Sequence, residues 1–399
     1  MPVDDKKNAV PRGFQFSAVE AAIKKPGRKD LALIFSERTA VMAGMFTTSS
    51  VKAAPVKLDM KLIKNGAGQA VIINSGNANA CTGAQGMIDA AEMGRLVAAA
   101  KGLKNGDVYV CSTGVIGTPM PMDRIRPGID ALVRGLGQAS INDVAAAIMT
   151  TDTFPKIVAK KKKVGGRMVT VTGICKGAGM IQPNMATMLA FIVTDAAIEK
   201  SALDTALRQA VSRSFNRITI DGDMSTNDTV LLMANGVAGN ETIRKKSKEY
   251  DIFAAALTEL LYELSEMIVR DGEGATKLVE VEVRNARSEQ EAEKGAFAIA
   301  NSLLVKTAIY GNDANWGRLM AALGYSGISL KEEKIDIYLN DLLVARDGRT
   351  TGVDKEANER LKRDKVKIVA DLHIGKGSAK VLTCDLTEGY VKINAEYRT

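Results

Sequence analysis

One segment limits the folding of this chain more than any other. A polar turn rich in glycine, Lys176-Gly177-Ala178-Gly179-Met180-Ile181-Gln182-Pro183-Asn184, runs straight into the apolar stretch that begins at Met185 and Ala186 and continues through Phe191. The stretches on either side, Arg167 to Ile174 and Thr187 to Val193, both read as buried strands. The turn is therefore no linker, and a break inside it would leave both pieces in one body. The first β-branched hydroxyl of the second strand is Thr187. A threonine hydroxyl is a poor nucleophile without an adjacent base. If the Ala186-Thr187 bond breaks, the new α-amine supplies that base on the same residue. Its unperturbed pKa of about 7.7–8.0 suits a general base near neutral pH. Taken alone, the segment is also an ordinary Gly/Pro turn before a core strand.

The remaining chain offers few competing chemistries. The only histidine is His373, in Asp371-Leu372-His373-Ile374-Gly375, where a polar residue at a strand edge is the simplest reading. Cys81, Cys111, Cys175 and Cys384 form no Cys-x-x-Cys pair, so zinc spacing is unsupported. All four read as small buried hydrophobes in a reducing compartment. The net charge of +8 is spread along 399 residues, apart from Lys160 to Lys163 and Arg244 to Lys248. Neither run carries an interleaved aromatic, which disfavours a nucleic-acid face and leaves solvated edges. There is no phosphate-binding glycine loop. The N-terminus lacks a signal-peptide core, and no apolar stretch is long enough to span a membrane. A cytoplasmic protein without metal or cofactor is expected.

Periodicity predicts an α+β pattern with many antiparallel elements. Strands are expected at Leu31 to Ser36, Val41 to Phe46, Ala70 to Asn74, Val108 to Cys111, Thr229 to Ala234, Lys277 to Asn285, Val305 to Ile309, Lys334 to Tyr338, Lys365 to Leu372 and Ala379 to Asp385. A hairpin is expected about Gly165-Gly166. Helices are expected near Asp123 to Leu136, Asn142 to Met149, Lys200 to Phe215, Asp251 to Arg270, Glu289 to Leu303 and Asn315 to Leu323, with another after the small-residue loop Ser75 to Ala80.

Four further segments carry chemistry. In Ser112-Thr113-Gly114, the Thr113 hydroxyl and the unobstructed Gly114 N–H are two donors of the kind a tetrahedral oxyanion needs. In Asp271-Gly272-Glu273-Gly274, a helix C-cap accounts for Gly272 but not for Glu273, whose carboxylate is suited to a substrate ammonium. Gly311 to Arg318 holds the only tryptophan, with Asn315 as a helix N-cap. Tyr390 to Thr399 alternates apolar residues almost to its end, which predicts a docked terminus.

Together these segments resemble the ornithine acetyltransferases, the glutamate N-acetyltransferase family of arginine biosynthesis usually called ArgJ. The resemblance runs from about Gly13 to Thr399. It rests on Ser112 to Gly117, Thr150-Thr151-Asp152-Thr153, Lys176 to Leu189, Asp271 to Lys277, Asn312 to Arg318 and Asp385 to Ala395. It implies an α/β sandwich of the ornithine acetyltransferase type with a smaller second α/β domain. It implies self-cleavage into an α chain, 1–186, and a β chain, 187–399, assembled as an α2β2 heterotetramer. Thr187 would be the nucleophile, Thr113 and Gly114 the oxyanion hole, and Thr150, Lys176, Thr187, Glu273, Asn394 and Thr399 the substrate contacts. Acetyl would pass from N2-acetyl-L-ornithine to L-glutamate, with acetyl-CoA left open as a co-substrate. Two rivals remain: a self-cleaving aminopeptidase or amidase of related fold, and a non-catalytic anion-binding scaffold.

Overall fold

The computed structural model describes residues 9–182 and 188–396. These divide into two compact units. The first holds residues 9–177, 188–216 and 224–268, and the smaller second unit holds 178–182, 217–223 and 269–396.

The first unit is built on an eight-stranded sheet. Its strands are β1 (Phe14–Val19), β2 (Leu31–Phe46), β3 (Ala67–Asn77), β4 (Val108–Val115), β5 (Lys156–Val164), β6 (Arg167–Lys176), β7 (Leu189–Thr194) and β8 (Thr229–Ala234). The order across the sheet is β4-β3-β2-β8-β7-β6-β5, with β1 paired to β2. Side chains of successive strand residues point to opposite faces. Leu31, Leu33 and Phe35 accordingly join a core with Met93, Val97, Ile125 and Ile129 of the helices Gly83–Lys101 and Met122–Arg134. Ala32 and Ile34 join a different core with Ile141 and Val144 of the helix Ile141–Ala147. Burial on both faces explains why the inner strands read as continuous apolar runs. The β5–β6 hairpin turns at Gly165 and Gly166, whose φ values of 52° and 80° match the left-handed pair of a type I′ turn.

The second unit has a six-stranded sheet in the order β12-β11-β10-β13-β9-β14. The strands are β9 (Leu278–Ala286), β10 (Asp336–Leu339), β11 (Leu342–Arg346), β12 (Arg349–Thr350), β13 (Lys365–Asp371) and β14 (Gly377–Cys384). The expected alternation in β9 is present. Val279, Val281 and Val283 enter a core with Ala292, Ala296 and Ile299 of the helix Glu289–Ala300.

Several expectations need correction. Val305 to Ile309 is not a strand but lies in the helix Leu303–Tyr310, capped by Ser302, whose hydroxyl accepts the Val305 N–H. Val305, Ala308 and Ile309 are buried at helical spacing while Leu303 and Leu304 face out; so short an apolar run carries no decisive period. The two strands expected between Leu31 and Phe46 are one, β2, with an irregular register between Phe35 and Ala40. The loop expected from Ser75 is strand as far as Asn77. Cys81 is exposed, unlike the other three cysteines, and none of the four forms a disulfide. The C-terminal segment forms the helix Glu388–Ala395, which buries none of its own side chains and is held by polar contacts. His373 follows β13 at a strand edge, as expected, with Nε2 3.1 Å from Asp336.

Candidate active site

In the first unit the chemistry gathers where β3 and β4 end side by side. The two strands run parallel, with Ser75 opposite Thr113 and Gly76 opposite Gly114. Gly114 has a φ of 136°, and a Cβ there would stand 2.2 Å from the Gly76 carbonyl carbon and 2.4 Å from the Asn77 nitrogen. Only glycine fits. The surrounding loops are tied by side-chain amides. Asn74 accepts the Ser112 hydroxyl at 2.6 Å, and Asn227 donates to the carbonyls of Ala78 and Ser112 at 2.7 and 2.8 Å.

Lys176, the last residue of β6, is buried and donates to the Thr113 hydroxyl oxygen at 3.3 Å. With that oxygen accepting from an ammonium, the Thr113 proton is free to point at a third group. This is the polarity an oxyanion donor needs. Thr150 enters the same network through Asp152. Asp152 accepts the Thr150 N–H at 3.0 Å, the Gly177 N–H at 2.7 Å and the Lys156 ammonium at 2.7 Å. Lys156 is fully buried. Burial pushes the Asp152 carboxyl up, but the charges of Lys176 and Lys156 and its hydrogen bonds outweigh it and hold the group at about 2. Asp152 is thus ionised at neutral pH and sets its negative charge beside two buried lysines.

Asp228 lies just before β8 and is fully buried. It accepts the Met188 N–H at 2.9 Å, while the Thr229 N–H donates to the Met188 carbonyl at 3.1 Å. Burial drives the Asp228 carboxyl well above the usual carboxylate range, against the Met188 hydrogen bond, the charge of Lys176 and a side-chain hydrogen bond with Thr47.

In the second unit, Glu273 and Asn394 come together, with the Asn394 amide donating to the Glu273 carboxylate at 2.8 Å. The Glu273 N–H is held by the Ala178 carbonyl at 2.8 Å. Gly179 passes so close that a Cβ there would lie 2.4 Å from Glu273 Oε2. Tyr390 donates to Asp221 at 3.3 Å, and Asp221 also accepts the Met180 and Ile181 N–H groups at 2.6 and 2.9 Å. Asn315 caps the helix Trp316–Tyr325 as expected, accepting the Arg318 N–H.

Of the expected site residues, Thr113, Gly114, Thr150 and Lys176 share one network, and Glu273 pairs with Asn394. Ala186, Thr187 and Thr399 lie outside the described residues. Sequence reasoning missed Asp152, Lys156, Asn227 and Asp228. Asp152 stood among threonines of a recognised segment, and Asn227-Asp228 is a polar pair directly before a buried strand, which was the available signal. No cluster of potential metal ligands is present among the described residues.

The whole arrangement has close relatives. The ArgJ family model matches residues 15–399. The arginine biosynthesis bifunctional protein ArgJ of Geobacter sulfurreducens is 55% identical over 97% of this chain and 99% of its own length. Its namesake from Caldanaerobacter subterraneus is 50% identical over the full length of both. A crystal structure of ArgJ from Bacillus halodurans is 49% identical, with a TM-score of 0.51 over 52% of this chain and 98% of that one. A match of this extent, running through the β4 terminus and the Lys176 turn alike, places the chain in the ArgJ family.

Proposed function

We propose that this chain cuts itself between Ala186 and Thr187 and then transfers acetyl from N2-acetyl-L-ornithine to L-glutamate through acetyl-Thr187. The observation that carries this reading is the Thr113–Gly114 donor pair, with the Thr113 hydroxyl oriented by a buried ammonium beside strands that lead to Thr187. Family membership supports it, since the relatives are named for arginine biosynthesis and as bifunctional. So does the length of the solved Bacillus halodurans chain, which corresponds to about half of this one. A protein severed near its middle gives chains of that size.

In the proposed cycle, Thr187 Oγ attacks the acetyl carbonyl, and its proton passes to the Thr187 α-amine. Thr113 and Gly114 donate to the oxyanion. Collapse expels the ornithine amine, which takes that proton. Glutamate enters, loses a proton to the same amine and accepts the acetyl group, and the amine returns that proton to the departing Thr187 oxygen. Thr150, Lys176, Asn394 and Thr399 are assigned to substrate contact. Glu273 is assigned to the ornithine ammonium, so Glu273→Gln should lose more with acetylornithine than with glutamate. The second activity would be glutamate acetylation from acetyl-CoA, and the assembly a cytoplasmic α2β2 heterotetramer.

Intact mass spectrometry on the denatured protein tests the core of this reading. Two fragments meeting at Ala186/Thr187 in the wild type and one chain in Thr187→Ala are expected; an uncleaved, active wild type overturns it. Incubation with acetylornithine and glutamate should yield N-acetylglutamate. Release of acetate alone would favour an amidase, and an intact, inert chain a binding scaffold.

A further inference from the structure

Acetylornithine and glutamate differ at one end and agree at the other, where each carries an α-carboxylate. The first unit supplies a cation for that shared group. Val71 and Ile73 of β3 enter the same core as Tyr109 and Cys111 of β4. The two-residue period of a strand then puts Ser75 and its ladder partner Thr113 on that same face. The Ser75 hydroxyl donates to the Ala147 carbonyl at 2.7 Å, and its oxygen accepts from Arg28 Nη2 at 3.2 Å. The same Nη2 donates to the carbonyl of Met149, the residue before Thr150. Arg28 thus reaches both the strand end that carries Thr113 and the segment that carries Thr150.

The guanidinium is only partly engaged. Arginine has five N–H donors. Nη2 serves Ser75 and Met149, whereas Nε and Nη1 hold three donors with no partner among the described residues, and no carboxylate there pairs with Arg28. Charged groups withdrawn from water are ordinarily paired, and Arg28 is partly buried. The acidic residues that flank it are occupied. Asp30 accepts the Ala21 and Ile23 N–H groups at 2.7 and 2.6 Å, and Glu20 accepts the Gly27 N–H at 2.8 Å. These bonds close the loop 20–30 on itself. The Ser75 N–H ties it to β3 through the Asp30 carbonyl at 2.9 Å, and a Cβ at Gly76 would stand 3.0 Å from Lys24 Cβ. Arg28 is therefore held in a preorganised loop packed on the strand end.

The spacing suits an N-acetyl amino acid. Nη2 is 3.2 Å from Ser75 Oγ, and Ser75 is one strand spacing, about 4.8 Å, from Thr113, so the guanidinium lies roughly 8 Å from that oxyanion donor. An acetyl oxygen on Thr113 sits about 2.8 Å from the hydroxyl. The α-carboxylate carbon, three bonds from the acetyl carbon, is about 3–4 Å from it. The ligand spans the gap. We infer that Arg28 binds the α-carboxylate of acetylornithine in one half-reaction and of glutamate in the other, donating from Nε and Nη1. This rests on the acetyl transfer proposed above. Lys176 orients Thr113; Arg28 orients the substrate.

The test deletes each side of the contact in turn. Wild type, Arg28→Met and Arg28→Lys are given two donors, acetylornithine and N-acetylputrescine, which is the same chain without its carboxylate. Wild-type formation of N-acetylglutamate from acetylornithine is the precondition; its failure sinks the transfer reading and not the residue assignment. Given that activity, Arg28→Met should lower kcat/KM for acetylornithine by about 10–100-fold, as loss of hydrogen bonds to a charged group does. It should leave kcat/KM for N-acetylputrescine within about twofold of wild type, and glutamate should lose as much as acetylornithine. If the carboxylate-free donor turns over too slowly, ornithine and putrescine as competitive inhibitors give the same comparison. Arg28→Lys keeps the charge and should lose less, again on the carboxylate-bearing ligands alone; it decides the matter if Arg28→Met does not fold. Equal losses with and without the carboxylate would make Arg28 a brace for Ser75 and Met149 and overturn the proposal, as would no loss on acetylornithine.

Discussion

Asp152→Asn is the most exposing change the structure offers. The carboxylate accepts three donors, of which one is the fully buried Lys156 ammonium. The substitution keeps the shape, removes the charge and turns an NH2 group toward N–H donors. Removing one partner of a buried ion pair costs about 3–5 kcal/mol. Protonation gives a second measure. A carboxyl held at about 2 against a reference of 3.8 corresponds to roughly 2–3 kcal/mol at neutral pH. That figure is lower, as expected, because a protonated acid can still accept on one oxygen. The folded pKa is depressed, so this stabilisation is complete above the unfolded value near 3.8 and is lost as pH falls toward 2. At roughly 2–4 °C per kcal/mol for a body of this size, Asp152→Asn should melt about 6–20 °C below wild type at pH 7. Differential scanning calorimetry of the two proteins at pH 7 and at pH 3 reads the effect directly, and the gap should narrow at the lower pH. A gap under about 2 °C at pH 7, or one that does not narrow, would refute the charge argument.

Other outcomes follow from single features. Thr113→Val keeps the β-branched shape but removes the donor, and should lower kcat by about 10²–10³ with little change in KM; steady-state acetyl transfer checks it. Gly179→Ala forces the Glu273 carboxylate to move, because the new Cβ would lie 2.4 Å from its oxygen. The KM for acetylornithine should then rise about tenfold or more while the melting temperature changes little. A maleimide applied to the native protein should label Cys81 alone, since the other three thiols are buried; mass mapping of the labelled peptides decides.

The strands were legible where burial on both faces gives uninterrupted apolar runs, as in β7 and β8, or where one face alternates, as in β9. Val305 to Ile309 reads as a strand because so short an apolar run satisfies either period. Thr113, Gly114 and Lys176 could be named because hydroxyl, glycine and lysine stood in distinctive local strings. Asp152 and Asp228 could not be ranked in the same way. Their character comes from what surrounds them in space, namely two lysines for one and full burial beside the Met188 N–H for the other. An aspartate in a string of threonines carries no local mark of the two lysines that will hold its carboxyl ionised against burial.

The order of the large sheet has a consequence for a severed chain. β7 and β8 come after Thr187, yet they sit between β2 and β6, which both come before it. The later piece is thus inlaid, with hydrogen-bonded ladders of the earlier piece on both flanks. Removing it would mean tearing two ladders and emptying the middle of the sheet, which is unfolding under another name. Once cut, the two polypeptides should behave as permanent companions: mixed with an isotopically labelled batch under native conditions, they should not trade halves.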